Sequence, residues 1–166
     1  MSARAQSLAD LFERTNNELI QFATSLSGAD WMRYCPNEER NIAALVYHVA
    51  VGYPFELRVF KAIAAGDPLP NLSRADLDAM NAEDGEAHAN EEREETLDLL
   101  RRNGAQAAEW VCGLNDDDLR KTGEYIEGIP EMTIEQWIER VLIGHIGMHL
   151  ASMRAVVDER PSPTAD

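Results

Sequence analysis

Hydrophobic residues recur every three or four positions along four long segments of this sequence, which is the pattern of amphipathic α-helices. The first segment covers residues 3–27 and the second covers 41–65. The third begins with the polar, mostly acidic run 91–95, and the fourth begins at Thr133. No segment shows the alternation typical of a strand. The pattern therefore predicts an all-α chain, and four amphipathic helices in 166 residues predict a four-helix bundle.

The predicted helices carry recognisable start signals and core stripes. Asn41 is a good N-cap residue, and Thr133 with Gln136 three positions on forms a capping box. Pro54 lies inside the second helix and is expected to kink it, because proline removes one backbone donor. The stripes predicted to face the core in the first and fourth helices are Leu8, Leu11, Phe12, Leu19, Ala23 and Leu26, and Ile134, Trp137, Ile138, Val141, Leu142, His145, Met148 and His149.

The connection between the second and third helices is much longer than the one between the first and second. It covers 69–85, and Ser73 can cap a short helix within it, with Asp76 at the third position. This length favours a crossover topology, in which the second and third helices are not simple hairpin neighbours. The whole of 1–160 is predicted to be one domain, and the tail 161–166 is expected to fray.

Charge and composition exclude several classes of function. The chain has 30 acidic and 15 basic residues, a formal charge of −15. It would repel nucleic acid and anionic membrane surfaces, since both attract basic proteins. No apolar run approaches the roughly 18 residues that a bilayer requires, and no signal peptide is recognisable. The two cysteines form no CxxC pair, so we expect a soluble, cytoplasmic protein.

Three of the four histidines stand on apolar helix faces. His145 and His149 are spaced i, i+4, so both side chains leave the same face of the fourth helix. His48 lies in the middle of the apolar face of the second helix. Imidazoles directed into a core are costly unless each has a partner, and one divalent metal ion satisfies all three. These residues are therefore the predicted metal ligands, although hydrogen-bonded core histidines without a metal remain the simpler alternative.

Familiar metalloenzyme motifs fit this pattern poorly. An HExxH protease needs a glutamate after the first histidine, and here Ile146 stands there. A di-iron site needs Glu-x-x-His, and Leu142 precedes His145 by three residues. His88 lies in a polar stretch and is expected to be solvated rather than a ligand.

The chain resembles the DinB-like superfamily, which includes bacillithiol- and mycothiol-dependent transferases. The resemblance rests on the segment 41–50, which contains His48, and on the segment 133–149, which contains His145 and His149. The order of the elements extends it over nearly the whole chain. The resemblance implies a four-helix bundle, a three-histidine site that holds zinc or nickel, and a homodimer. The resemblance specifies the fold more closely than it specifies the reaction.

Two further residues are candidates for a functional role, and the tryptophans and cysteines are expected to be structural. Glu56, two helical turns beyond His48, could orient a ligand or act as a base, and it is the one catalytic candidate. Tyr125 could line the mouth of the site. The three tryptophans are expected to anchor the core or the loops, and Cys35 and Cys112 to be inert packing residues.

Three kinds of function remain open. The leading hypothesis is a metal-dependent enzyme, because three histidines leave a fourth position for water or substrate. A thiol bound there would be deprotonated, which suits S-transfer from a low-molecular-weight thiol, whereas a bound water would suit hydrolysis. The second hypothesis is a non-catalytic metal-binding stress-response or interaction module. The third is a site that has lost its metal.

Overall fold

The computed structural model describes residues 2–69 and 72–159, and helices make up most of them. In chain order the elements are α1 (Ala3–Ser25), α2 (Gly28–Trp31), β1 (Tyr34–Cys35), a 3-10 turn (Pro36–Glu38), β2 (Arg40–Asn41), α3 (Ile42–Ala65), α4 (Arg74–Ala87), α5 (Arg93–Cys112), α6 (Asp116–Arg120), β3 (Thr122–Gly123), β4 (Met132–Thr133), α7 (Ile134–Trp137), a π-helical segment (Ile138–Ile143) and α8 (Gly144–Asp158). Two antiparallel ribbons, β1–β2 and β3–β4, are the strand pairs of the described residues. The predicted all-α character is confirmed.

Capping residues fix the helix ends where the sequence predicted them. The Asn41 side chain accepts a hydrogen bond from the Ala44 amide and starts α3. Gly66 ends that helix with a φ of 74°, a left-handed conformation that glycine adopts without a steric penalty. Thr133 and Gln136 form the predicted capping box at the start of α7.

The relative directions of α1, α3 and α5 follow from residue pairs that are in contact along these helices. Residues at opposite ends of α1 contact opposite ends of α5: the Ser2 amide donates to the Leu114 carbonyl, and Arg93 donates to the Leu26 carbonyl. These two helices are therefore antiparallel. In contrast, α3 and α5 run in the same direction, because Asn103 contacts Ala50 and the Trp110 ring faces that of Phe60.

Pro54 lies inside α3 without ending it. The proline nitrogen has no hydrogen to donate to the carbonyl four residues earlier, which belongs to Ala50. The Asn103 side chain of α5 donates to that carbonyl instead, at 2.9 Å. A neighbouring helix thus satisfies the acceptor that proline leaves free, and the kink itself stays a prediction.

A small polar cluster lies between α1, α3 and α5. The Tyr53 hydroxyl donates to the side-chain oxygen of buried Asn16 at 2.8 Å. A β-carbon at Gly104 would lie 2.3 Å from the Asn16 side-chain nitrogen, which is closer than any real contact allows. A larger residue at this helix contact would therefore force the Asn16 side chain, which Tyr53 holds, to move.

The structure corrects several details of the predicted pattern. Leu11 is 39% exposed and Met148 is 55% exposed, so neither belongs to the core, whereas Ile146 is fully buried. The π-helical segment adds a residue per turn before α8 and so rotates the residues that follow it. The short helix predicted in the long connection, α4, has 14 residues and extends beyond residue 85.

The described helices also bear on the membrane prediction. None of them is long and apolar enough to cross a bilayer. The tail 161–166, which was expected to fray, lies outside the described residues.

Candidate metal centre

Helices α3 and α8 bring the three predicted histidines together. His48 comes from the second turn of α3, and His145 and His149 come from successive turns of α8. Each of the three offers a nitrogen, and these three nitrogens lie within 4.8 Å of one another. The structure therefore brings together the three histidines that the sequence singled out.

The ring contacts show which nitrogens meet. The Nε2 atoms of His145 and His149 are 2.7 Å apart. The His48 ring stands edge-on to both, with centroids 5.3 Å from that of His145 and 5.5 Å from that of His149. Two facing imidazole nitrogens can share one proton, or they can both donate lone pairs to a cation.

Each histidine has a carboxylate beside its other ring nitrogen. The Nδ1 atom of His48 lies 3.3 Å from Asp84, that of His145 lies 3.7 Å from Glu56, and that of His149 lies 3.1 Å from Glu38. Only the contact with Asp84 meets hydrogen-bond geometry, and the buried His149 Nδ1 and Glu56 Oε2 atoms have no hydrogen-bond partner among the described residues. This arrangement directs Nε2 of His145 and His149 toward the centre and leaves Nε2 of His48 free.

The three carboxylates come from different parts of the chain. Glu38 lies in the 3-10 turn between β1 and β2, Glu56 lies on α3 and Asp84 lies on α4. Arg40 contacts both the 3-10 turn and α4. Its guanidinium donates to the backbone carbonyls of Glu38 and Asn81 and lies 3.7 Å from the Asp84 carboxylate.

Burial favours the neutral form of His145 and His149. The pKa of His145 is lowered to about 3, mainly by burial and in part by the neighbouring His149, His48 and Arg40. Burial also lowers the pKa of His149, although the nearby Glu38 carboxylate acts in the opposite direction. Neutral imidazole is the form that donates a lone pair to a metal, so these side chains are ready as ligands at neutral pH.

The two acids nearest the cavity have opposite pKa shifts. The hydrogen bond from His48 is the main cause that lowers the pKa of Asp84, so this carboxylate is charged. A charged carboxylate can only accept, so the His48 Nδ1 atom donates the proton of this hydrogen bond. Burial raises the pKa of Glu56 to about 8, so this group is protonated at neutral pH.

A cavity of about 500 Å³ adjoins the histidines. His48, His145 and Glu56 form part of its wall, and Tyr125 lines it as the sequence suggested. His149 is buried and is absent from the lining, so the cavity reaches the site from the side of the other two histidines.

The donor set fits a divalent cation. Three imidazoles converge here, and a carboxyl group lies beside the other nitrogen of each, which is the arrangement that orients histidine ligands in metal sites. An ion at their centre would also remove the need for His145 and His149 to share a proton across 2.7 Å.

Comparison with known families gives one match. A family model described as the DinB superfamily matches residues 11–153, a range that contains all three histidines and all three carboxylates. The chain belongs to the DinB superfamily. No curated protein and no solved structure gives a significant match.

In this DinB-superfamily chain, two other residues singled out in the sequence, His88 and Cys35, lie outside the three-histidine group. His88 is only partly exposed: it stacks on Tyr47, its Nδ1 contacts Glu91 and its Nε2 lies 3.7 Å from Asp84. It is therefore less solvated than predicted, and it remains outside the three-histidine group. Cys35 is buried, and burial raises its pKa to about 11, as an inert packing residue requires.

Sequence reasoning missed Glu38 and Asp84. Both stand in ordinary polar contexts, one after Cys35-Pro36 and the other in an acidic helix. Only the folding of the β1–β2 turn and of α4 against α3 brings them to the histidines.

Proposed function

We propose that His48, His145 and His149 hold one divalent metal ion, with zinc and nickel as the leading candidates. The proposal is supported by the convergence of the three nitrogens and by the carboxylate beside each ring. Imidazole suits both metals, and no cysteine takes part in the group, so a softer metal has no special advantage.

We also propose that the four long helical stretches form a four-helix bundle with a crossover between α3 and α5. Two helices that run parallel cannot be joined by a tight turn, so the chain must return along their length. The long connection that contains α4 supplies that return. This arrangement would place α4 over the site, in agreement with the contact between Asp84 and His48.

The reaction we favour is transfer of a low-molecular-weight thiol to an electrophilic small molecule. The observation that carries this proposal is the cavity, which opens on His48 and His145 and leaves room for a ligand beside the proposed ion. A divalent ion bound there would lower the pKa of a coordinated thiol and so supply a thiolate nucleophile. The largely apolar wall would exclude water from the electrophile.

Glu56 is the proposed acid–base group. Its carboxyl is buried, lines the cavity, and has one oxygen 3.7 Å from His145 while the other lacks a partner among the described residues. A pKa near 8 lies close to neutral pH, where a general acid or base is most effective. Glu56 would also orient His145, so its replacement should alter metal binding as well as turnover.

Metal-dependent hydrolysis is the second candidate, and Glu56 also supports it. In its deprotonated form, this buried carboxyl at the cavity wall could take a proton from an attacking water as readily as from a thiol. A non-catalytic stress-response or interaction module with a structural ion is less well supported, because a structural site is closed by four protein ligands. Here three possible ligands come together in the described residues, and a cavity adjoins two of them.

Cobalt-substituted protein would test the thiol proposal. Addition of a small thiol such as 2-mercaptoethanol should change the visible spectrum as sulfur approaches the ion. The same thiol added to the His145→Ala variant should give only the spectrum that cobalt and the thiol show without protein. An unchanged spectrum across several thiols would reject the transferase proposal and leave hydrolysis or a structural ion.

A further inference from the structure

Arg140 shares the cavity with the histidines. It lies in the π-helical segment before His145 and is exposed, and its side chain lines the same cavity as His48 and His145. It is the one arginine or lysine among the lining residues that the structure describes. In a chain with a net charge of −15, a cation at this place offsets a field that would otherwise repel anions.

The acids that could neutralise Arg140 are engaged elsewhere. Its neighbour Glu139 pairs with Arg4 at 2.7 Å, and Glu135 also pairs with Arg4. Within the cavity, Glu56 faces His145 and Asp84 faces His48. Among residues 2–69 and 72–159, no carboxylate lies within ion-pair distance of the Arg140 guanidinium, so it is available to a ligand.

The rest of the lining is mainly apolar. The hydrophobic side chains that contribute to it are Val51, Phe55, Leu77, Met80, Val141 and Met148. Met80 and Met148 are 49% and 55% exposed, and large apolar side chains left in water beside a cavity are typical of a ligand-binding surface. Methionine is also flexible enough to adjust to the shape of an apolar ligand.

We propose that Arg140 binds a carboxylate of the substrate, which is therefore a small molecule with a metal-binding head, an apolar middle and an anionic end. This inference rests on the proposed function, because the head is defined by the ion at the three histidines. A planar guanidinium pairs with a carboxylate through two parallel hydrogen bonds, which makes a carboxylate its best-matched small anion.

Two thiols of equal length test the inference in the zinc-loaded protein. Calorimetry should show that 6-mercaptohexanoate binds more tightly than 6-mercaptohexanol, by roughly 2- to 5-fold for an exposed charge-assisted pair. The preference should disappear in Arg140→Gln and survive in part in Arg140→Lys. The control Arg102→Gln removes the same charge from an exposed residue of α5 that does not line the cavity, and it should keep the preference.

A second pair of ligands separates this inference from the proposed function. Hexanoate and hexanol lack sulfur, so their binding to metal-free protein does not depend on the ion. A preference for hexanoate in the wild type that Arg140→Gln abolishes would support the role of Arg140, even if thiols left the cobalt spectrum unchanged. An equal preference for the carboxylate in wild type and Arg140→Gln, with either pair of ligands, would overturn the inference.

Discussion

Each site histidine has a carboxylate beside its Nδ1 atom, and the contact between His48 and Asp84 has hydrogen-bond geometry. A partner of this kind fixes the tautomer and the ring orientation of a metal ligand. Asp84→Ala should therefore weaken metal binding by roughly 10- to 100-fold, although the three proposed ligands remain. Competition with a chromophoric chelator measures the affinity.

Asp78 provides the matched control for this change. It lies on the same helix as Asp84, is exposed, and does not line the cavity. Asp78→Ala should keep the affinity of the wild type. Equal affinities for Asp78→Ala and Asp84→Ala would show that the carboxylate does not support the site.

Glu56 gives a prediction for stability against pH in the metal-free protein. Its pKa is about 8 in the folded chain and 4.5 ordinarily, so the folded state binds the proton more tightly. The stability from this group is fully present below pH 4.5 and is lost as the pH rises toward about 8. Glu56→Gln is neutral throughout and lacks this loss.

Urea denaturation of both proteins over this pH range provides the measurement. The free energy of unfolding of the wild type should fall relative to that of Glu56→Gln as the pH rises. A constant difference between the two proteins would mean that Glu56 has an ordinary pKa in the folded chain.

The sequence revealed the histidines of the site but not the acids behind them. His145 and His149 share a helix face by spacing alone, and an imidazole on an apolar stripe is unusual enough to be noticed. Glu38 and Asp84 look like surface acids in the sequence. Their role depends on where α4 and the β1–β2 turn come to rest, and helical periodicity carries no information about that.

Among the helices, the contact of α1 with α5 depends on Gly104. An alanine there would place its β-carbon against Asn16, whose side chain is already held by Tyr53. Gly104→Ala should lower the free energy of unfolding by about 1–3 kcal/mol, as overpacking of a core does. Thermal or urea unfolding followed by circular dichroism measures this change.

Gly147 supplies the contrast on α8. A β-carbon there meets nothing within 4 Å, so Gly147→Ala should stabilise the chain by roughly 0.5–1 kcal/mol through helix propensity. If Gly104→Ala were also stabilising, the close approach of Asn16 would be contradicted.

Helix starts and ends were predictable because their signals are local. The caps at Asn41 and Thr133 act within one turn of their own helices. The π-helical segment and the two short ribbons were not predictable in the same way. A π-turn has no strong residue preference, and a two-residue strand exists only where another segment pairs with it. The π-helical segment shifts the register of the residues in α8, and this shift explains why Met148 is exposed.

For the whole molecule, we expect a homodimer. Symmetric dimers are the commonest oligomers, and the resemblance to the DinB-like superfamily also implies a dimer. Light scattering at micromolar concentration should give twice the chain mass of 18.5 kDa. A monomeric mass would remove this expectation without affecting the site, since every group described above comes from one chain.

The metal content of the protein purified without an affinity tag tests the central claim most directly. Elemental analysis should find about one zinc or nickel ion per chain in the wild type. His145→Ala and His149→Ala should each lose most of it, whereas His88→Ala, outside the three-histidine group, should keep it. Full metal occupancy in both His145→Ala and His149→Ala would contradict the account, as would a wild-type protein that takes up no divalent ion.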